Sequence, residues 1–248
     1  MLITALRALW TWFIVPISFF ATLFWAGLAA IFTFFPNSDR AVEWVIRSWS
    51  RGFLLIAPLR WEVRGAEKLG DGPYVFASNH LGNFDIPLLF LAIPVPIRYL
   101  AKKELFRIPI FATGMRRIGI VEVDREAAAT SRDAINVGVA AAVARGHSIM
   151  VYPEGHRSRD RRLQSFKRGA FRIAIDNGLP LVPVTVQGTW EVWPPGKKVV
   201  RSGRAVVVIG DPIDTSRMDR SQVGDLLDLA RDTIATTYDA LRAESAQS

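Results

Sequence analysis

From Ala8 to Ser38 the chain carries no charged residue. This run of 31 residues holds Trp10, Trp12, Phe13, Phe19, Phe20, Phe24, Trp25, Phe32, Phe34 and Phe35. So long an apolar, aromatic-rich segment is rare in soluble domains, which narrows the folds available. As one straight helix it would extend about 46 Å at roughly 1.5 Å per residue, well beyond the roughly 30 Å hydrocarbon core of a bilayer. Pro16 and Gly27 are kink points, and Trp10, Trp12 and Trp25 suit head-group depth. The run is too long for a cleaved signal peptide, and only Arg7 forms a basic flank before it. After Pro36-Asn37-Ser38, residues 40–57 set apolar Val42, Val45, Ile46 and Trp49 among Arg40, Arg47 and Arg51, the pattern of an interfacial amphipathic helix. Residues 1–57 therefore read as a membrane-anchoring helical pair that dips into or lies on the bilayer in preference to an upright span. The other account is a buried hairpin covering a soluble core.

The remaining residues, 58–248, suffice for one sizeable α/β domain. Short apolar runs at Trp61–Arg64, Tyr74–Ala77, Arg98–Ala101, Ile120–Val123, Ser148–Tyr152, Leu181–Val186 and Ala205–Ile209 alternate with helical stretches. That alternation predicts an α/β fold, a mostly parallel sheet wound with helices. The clearest helix is Arg125–Arg145, where Ile135, Val139 and Val143 recur at four-residue spacing before Gly146. Asp214–Ala243 reads as a closing helical segment with a frayed end. Cysteine is absent, which excludes disulfides, thiolate zinc sites and a thiol nucleophile. The 31 Lys and Arg against 23 Asp and Glu favour an anionic surface, and the apolar N-terminus selects phospholipid over nucleic acid. There is no internal repeat, Walker loop or dinucleotide fingerprint.

Two polar loops follow expected strands. The first contains His80 and Asp85 within Ser78-Asn79-His80-Leu81-Gly82-Asn83-Phe84-Asp85. If Phe84 opens a helix, the Asp85 carboxylate can reach back to the imidazole, fix its tautomer and leave the other ring nitrogen to accept a proton. His147 and His156 lack that spacing, since Tyr152 and Arg161 hold the corresponding positions. From the spacing alone the simpler account is favoured: Asn83 or Asp85 caps a helix and His80 is an ordinary loop histidine. The second loop, Tyr152-Pro153-Glu154-Gly155-His156-Arg157-Ser158, shifts the balance. Gly155 permits close backbone approach, and Arg157 offers the planar fork that grips a phosphate. The run Arg159–Arg162 reads as a solvated face.

The Asn79-His80-x4-Asp85 block and the Tyr152-Pro153-Glu154-Gly155-His156-Arg157-Ser158 block resemble those of the lysophosphatidic acid acyltransferase family of glycerolipid acyltransferases. Similar intervening pieces are Ala101-Lys102-Lys103-Glu104-Leu105-Phe106 with Ile108-Pro109, Gly119–Arg125, and Leu181-Val182-Pro183-Val184. The resemblance covers residues 40–190 in the family's order. It departs at Tyr152, His156 and Glu122, where relatives carry Phe, Thr and an aromatic or aliphatic residue. The resemblance implies direct transfer of a fatty acyl group from acyl-CoA or acyl carrier protein to lysophosphatidic acid, with His80 as general base and Asp85 orienting it. It further implies that Lys102, Arg125 and Arg157 hold the acceptor's phosphate, that Glu154 and Gly155 shape the glycerol site, and that neither metal nor cofactor takes part. No Gly-x-Ser-x-Gly elbow occurs, which speaks against an acyl-enzyme. Glycerol 3-phosphate, an amino-acid-derived lyso-lipid or a glycolipid stay open as acceptors, as does a non-catalytic phospholipid-binding protein. The expected location is the cytoplasmic face of the inner membrane, because the thioester is cytosolic and the lipids are membrane-bound.

Overall fold

Each of the seven expected apolar runs forms a strand: β1 (Leu59–Arg64), β2 (Val75–Ser78), β3 (Ile97–Lys102), β4 (Val121–Val123), β5 (Ser148–Val151), β6 (Leu181–Gln187) and β7 (Gly203–Ile209). The structure, a computed structural model, describes residues 2–55, 59–124, 131–197 and 199–247. The strands hydrogen-bond into one sheet in the order β1-β7-β6-β2-β5-β3-β4. Every pairing is parallel except β6 with β7. The carboxyl ends of β6, β2, β5, β3 and β4 therefore share one edge, which is where open α/β sheets place their chemistry.

Helices cover both faces of the sheet's centre, so β2, β5 and β6 are buried nearly throughout, whereas the edge strands β1 and β4 carry charged residues. Around the sheet lie α1 (Leu2–Phe32), α2 (Asp39–Leu54), α3 (Asp85–Ala92), α4 (Pro109–Arg117), α5 (Ser131–Ala144), α6 (Gly169–Asp176), α7 (Thr189–Val192) and α8 (Val223–Gln247). Successive strand residues point to opposite faces. Phe76, Met150, Val182 and Val184 accordingly join one cluster with Val42, Ile46 and Leu54 of α2 and Leu88 and Leu89 of α3. Val75, Ala77, Ile149 and Leu181 join the other, against Val139 of α5, Phe171 of α6 and Leu226 of α8. The helix expected from Arg125 is described from Ser131, and its expected first six residues lie outside the described part. The closing segment differs from expectation. Residues 214–219 stay extended or turned because Asp214 accepts the Ser216 amide and Ile213 bridges to Leu181, and the helix begins only beyond the Asp219–Gln222 capping box. Its end is held: Arg64 grips Glu244 with two bonds of 3.0 and 2.8 Å, and α8 runs on to Gln247.

α1 is an unbroken helix through Pro16 and Gly27, and only 11% of its most apolar stretch is buried. It nevertheless touches the body along its length. Val200 donates its amide to Thr11 at 3.1 Å, Trp49 donates its indole N–H to Thr22 at 3.1 Å and Ala26 packs against Gly114; in the turn just after α1 the Arg117 guanidinium lies 4.1 Å from the centre of the Phe34 ring. α2 is tied to the sheet by a buried charge. Arg98 of β3 is fully buried, and its Nη1 lies 2.5 Å from Glu43 of α2. The same guanidinium donates to the carbonyls of Ile97 and Ile118 and to Nε2 of His147 at 3.1 Å.

Removing one partner of a buried ion pair leaves the other charge uncompensated. Glu43→Ala is therefore expected to destabilise the fold by about 3 kcal/mol, lowering the thermal midpoint by roughly 6 to 12 °C for a chain of this size. Unfolding followed by circular dichroism in detergent measures it; an unchanged midpoint contradicts the role given to this pair.

Candidate active site

The loop after β2 is organised by the Asp85 carboxylate, which is fully buried at the first turn of α3. Four donors converge on it. The amides of Leu81 and Gly82 reach Oδ2 at 2.6 and 2.9 Å, the Thr189 hydroxyl reaches Oδ1, and Nδ1 of His80 stands 2.7 Å from Oδ2. A carboxylate only accepts, so Nδ1 carries the proton and Nε2 presents its lone pair. Nε2 has no partner among the described residues, and the imidazole is 13% exposed. Gly82 is required here by close approach: a Cβ would stand 2.6 Å from the carbonyl oxygen of Thr189, the residue that clamps Asp85 from the end of β6.

The loop after β5 closes against this one. Glu154 is 2% exposed, and its two oxygens accept the backbone amides of His80 at 2.7 Å and Gln164 at 2.8 Å. In return the Ser158 amide donates to the His80 carbonyl at 2.8 Å. Glu154, expected to shape the glycerol site, has its carboxyl group turned inward, where it braces the two loops. Burial pushes that carboxyl up to about 7, against the two backbone bonds, which pull it down. Gly155 follows with φ +78, the left-handed turn that carries the chain outward. Arg157 lies exposed beyond it and donates through Nη1 to Asn83, whose own amide group donates to the Trp193 carbonyl at 3.2 Å. Beneath His80, the Tyr152 ring stacks on the imidazole at 3.8 Å and 10°. Burial raises the Tyr152 phenol well above its ordinary range, and its hydroxyl makes no well-directed hydrogen bond.

His80, Asp85, Glu154, Gly155 and Arg157 thus form one contiguous group. Lys102 is exposed at the end of β3, on the same sheet edge beyond β5, with no direct contact to that group. Its neighbour Lys103 is engaged with Asp124 at 2.5 Å. Arg125 lies outside the described residues. Asn79, the first residue of the motif, is structural: its side chain exchanges two 2.8 Å bonds with the backbone of Val186, continuing the β2–β6 ladder. Sequence reasoning missed Thr189, which stands 104 residues from the carboxylate it binds and carries no local signal. It also missed the Tyr152 stack, though Tyr152 was noted as a departure from Phe. No group of His, Asp and Glu among the described residues could hold a metal ion.

Comparison with known proteins matches residues 60–187 to the family model described as Acyltransferase. A chloroplastic 1-acyl-sn-glycerol-3-phosphate acyltransferase of Arabidopsis thaliana is 30% identical over 86% of this chain and 61% of its own length. The enzyme of that name from Saccharomyces cerevisiae is 29% identical over 86% of this chain and 72% of its own. That of Salmonella typhimurium is 33% identical over 65% of this chain and 64% of its own. The chain spans 61% and 49% of the lengths of the Arabidopsis and Brassica napus relatives. In fold it is similar to the crystal structure of the 1-acyl-sn-glycerophosphate acyltransferase PlsC of Thermotoga maritima, with a TM-score of 0.79 at 22% identity over 98% of this chain and 97% of that one.

The buried Glu154 has a pH signature. Its folded value of about 7 lies above the ordinary 4.5, so the folded chain keeps a proton that the unfolded chain releases between those values. The stability this group contributes is full below pH 4.5 and is lost as pH rises towards 7. The thermal midpoint of the native chain, measured against that of Glu154→Gln, is expected to fall across that window; a constant difference contradicts the assignment.

Proposed function

The chain belongs to the acyltransferase family, and on that footing we propose that it transfers a fatty acyl group from acyl-CoA or acyl carrier protein to the free hydroxyl of 1-acyl-sn-glycerol 3-phosphate, giving phosphatidic acid. The observation that carries this reading is the open Nε2 of His80, with Nδ1 held by Asp85 and the exposed Arg157 fork beside it. Nε2 takes the proton from the acceptor hydroxyl as its oxygen attacks the thioester carbonyl. The tetrahedral intermediate then expels the thiolate, which takes that proton back from the imidazolium, so one ester forms, one thioester breaks and the histidine returns neutral. Asp85 stabilises the transient imidazolium without itself being protonated. The step uses no metal, cofactor or acyl-enzyme.

Arg157 binds the acceptor's phosphate, aided by Lys102 on the same edge and by Arg125. Glu154 and Gly155 shape the glycerol site through the loop they hold. Residues 1–57 serve as the membrane anchor and residues 58–248 as the catalytic domain, with α2 built into the core of the latter. Because α1 touches the body from Thr11 to Ala26, and Phe34 just beyond it does so too, an upright span leading away from the body does not suit these contacts. α1 therefore lies in one leaflet, its outward Trp12, Phe13, Phe20 and Phe24 among lipid. That leaflet is the cytoplasmic one of the inner membrane, where the thioester is found.

His80→Ala is expected to lower turnover by roughly 10³ to 10⁴-fold, and Asp85→Asn nearly as much through a mis-set tautomer. Purified protein with labelled acyl thioester and a panel of lyso-acceptors measures this by thin-layer chromatography, with circular dichroism verifying folding. Retention of more than a few per cent of turnover in a folded His80→Ala chain removes His80 as the base. Arg157→Ala is expected to raise the apparent constant for lysophosphatidic acid about tenfold or more, the effect of one lost charge-assisted phosphate contact, and to leave that for the thioester unchanged. Equal weakening of both substrates transfers Arg157 to a structural role.

A further inference from the structure

Away from His80, a groove of about 460 Å³ lies between α2 and the turns that precede β3 and β5, at the amino ends of those strands. The reaction edge is at their other end. Arg40, Trp44, Arg47 and Arg51 line it, at i, i+4, i+7 and i+11 of α2, which places them in one stripe of the helix. Two acidic groups also border the groove, and both are matched. Asp39 pairs with Arg145 at 2.5 Å, and Glu43 pairs with the buried Arg98 at 2.5 Å. His147 adds no charge near neutral pH, because burial and the adjacent Arg98 hold it down to about 4.

Three cations in the stripe stay uncompensated. Arg47 donates to the carbonyls of Ile93 and Pro94 at 3.0 and 3.2 Å, which fixes its position without neutralising it. Arg40 and Arg51 have no acidic partner among the described residues. From Arg40 to Arg51 the stripe runs about 16 Å at roughly 1.5 Å per residue, longer than one phosphate. Trp44, 55% exposed, sits within it and meets Trp25 of the apolar helix edge to face at 6.0 Å. Tryptophan of that kind marks the level of lipid head groups, so the arginines stand where lipid phosphates lie.

We propose that this groove is a binding site for the phosphates of anionic phospholipids, separate from the acceptor site and used to seat the enzyme on negatively charged membrane. The proposal rests on α1 lying in the bilayer as described above. It differs from general apolar anchoring in requiring a particular row of arginines.

The test is partitioning of the full-length chain onto vesicles of phosphatidylcholine alone and of phosphatidylcholine mixed with phosphatidylglycerol, at one ionic strength. The wild-type chain is expected to partition onto both and more strongly onto the mixture. Arg40→Gln with Arg51→Gln is expected to reduce the gain from phosphatidylglycerol about thirtyfold, at about one Boltzmann-weighted charge contact per arginine, and to leave partitioning onto phosphatidylcholine unchanged. Arg217→Gln with Arg231→Gln, in the segment that packs on the opposite face of the sheet, is expected to keep the gain. Loss of the gain in both double variants, or in neither, overturns the groove as its source, as does a wild-type chain that shows no gain. Inorganic phosphate that abolishes the gain at matched ionic strength reassigns the site to the free anion and overturns a lipid ligand. Failure to bind phosphatidylcholine vesicles is a separate result, which overturns the placement of α1 in the bilayer.

Discussion

The carboxylate of Asp85 is the constraint on which the carboxyl edge of the sheet depends. It is fully buried, and its four donors come from the turn after β2, from the His80 ring and from Thr189 beyond β6. A buried carboxylate without such donors would be costly, so the loop takes the one path that supplies them. That path turns the His80 imidazole so that one nitrogen is engaged and the other faces outward. Glu154 performs the corresponding task for the neighbouring loop, holding the His80 amide from below. The two carboxyl groups fix the backbone and the ring of the same residue, each from a different strand end.

The centre of the sheet was legible because both of its faces are covered: β2, β5 and β6 are buried along nearly their whole length and stand out as short apolar runs between polar turns, while the edge strands β1 and β4 carry charges among their apolar residues. The His80–Asp85 contact is local, five residues apart, but spacing alone favoured a helix cap and an ordinary loop histidine, and the pair became legible only with the second polar loop and the family resemblance beside it. Thr189 was not, since a lone threonine beside a glycine has no periodicity or spacing to single it out. The orientation of Glu154 was not legible: its place in the motif marks the loop, whereas burial and two backbone amides decide which way its carboxyl turns. The segment 214–219 was lost to turn chemistry: the apolar spacing of α8 starts only at Val223, and in the residues before it Asp214 and Asp219 bind nearby backbone amides. Arg98 lies within an apolar strand pattern, and only the three-dimensional neighbourhood of Glu43 and His147 explains a guanidinium with no exposure.

The N-terminal helices combine two behaviours that sequence treats as alternatives. α2 buries Val42, Val45, Ile46 and Leu54 as any core helix does, and presents arginines on its other side. α1 keeps most of its apolar surface outward while hydrogen bonding to the body at Thr11 and Thr22. The two accounts are therefore not exclusive: α2 completes the core, and α1, the proposed anchor, uses it as a support.

α2 also spans the distance between the two sheet edges. Near its start Glu43 is locked to Arg98, and near its end Phe53 packs edge to face on Phe84 at 5.7 Å and stacks near Trp193 at 6.5 Å, beside the loop that holds His80. A side chain carried on a loop fixed to its support in this way has no reach of its own. Under the proposed seating of α1 in the bilayer, the height of His80 above the membrane is set by the body of the molecule, and under the proposed reaction a lipid must bring its hydroxyl to that height. Acceptors would then be sorted by how far their reactive oxygen sits from the hydrocarbon, a geometric selection that needs no contact with the rest of the lipid.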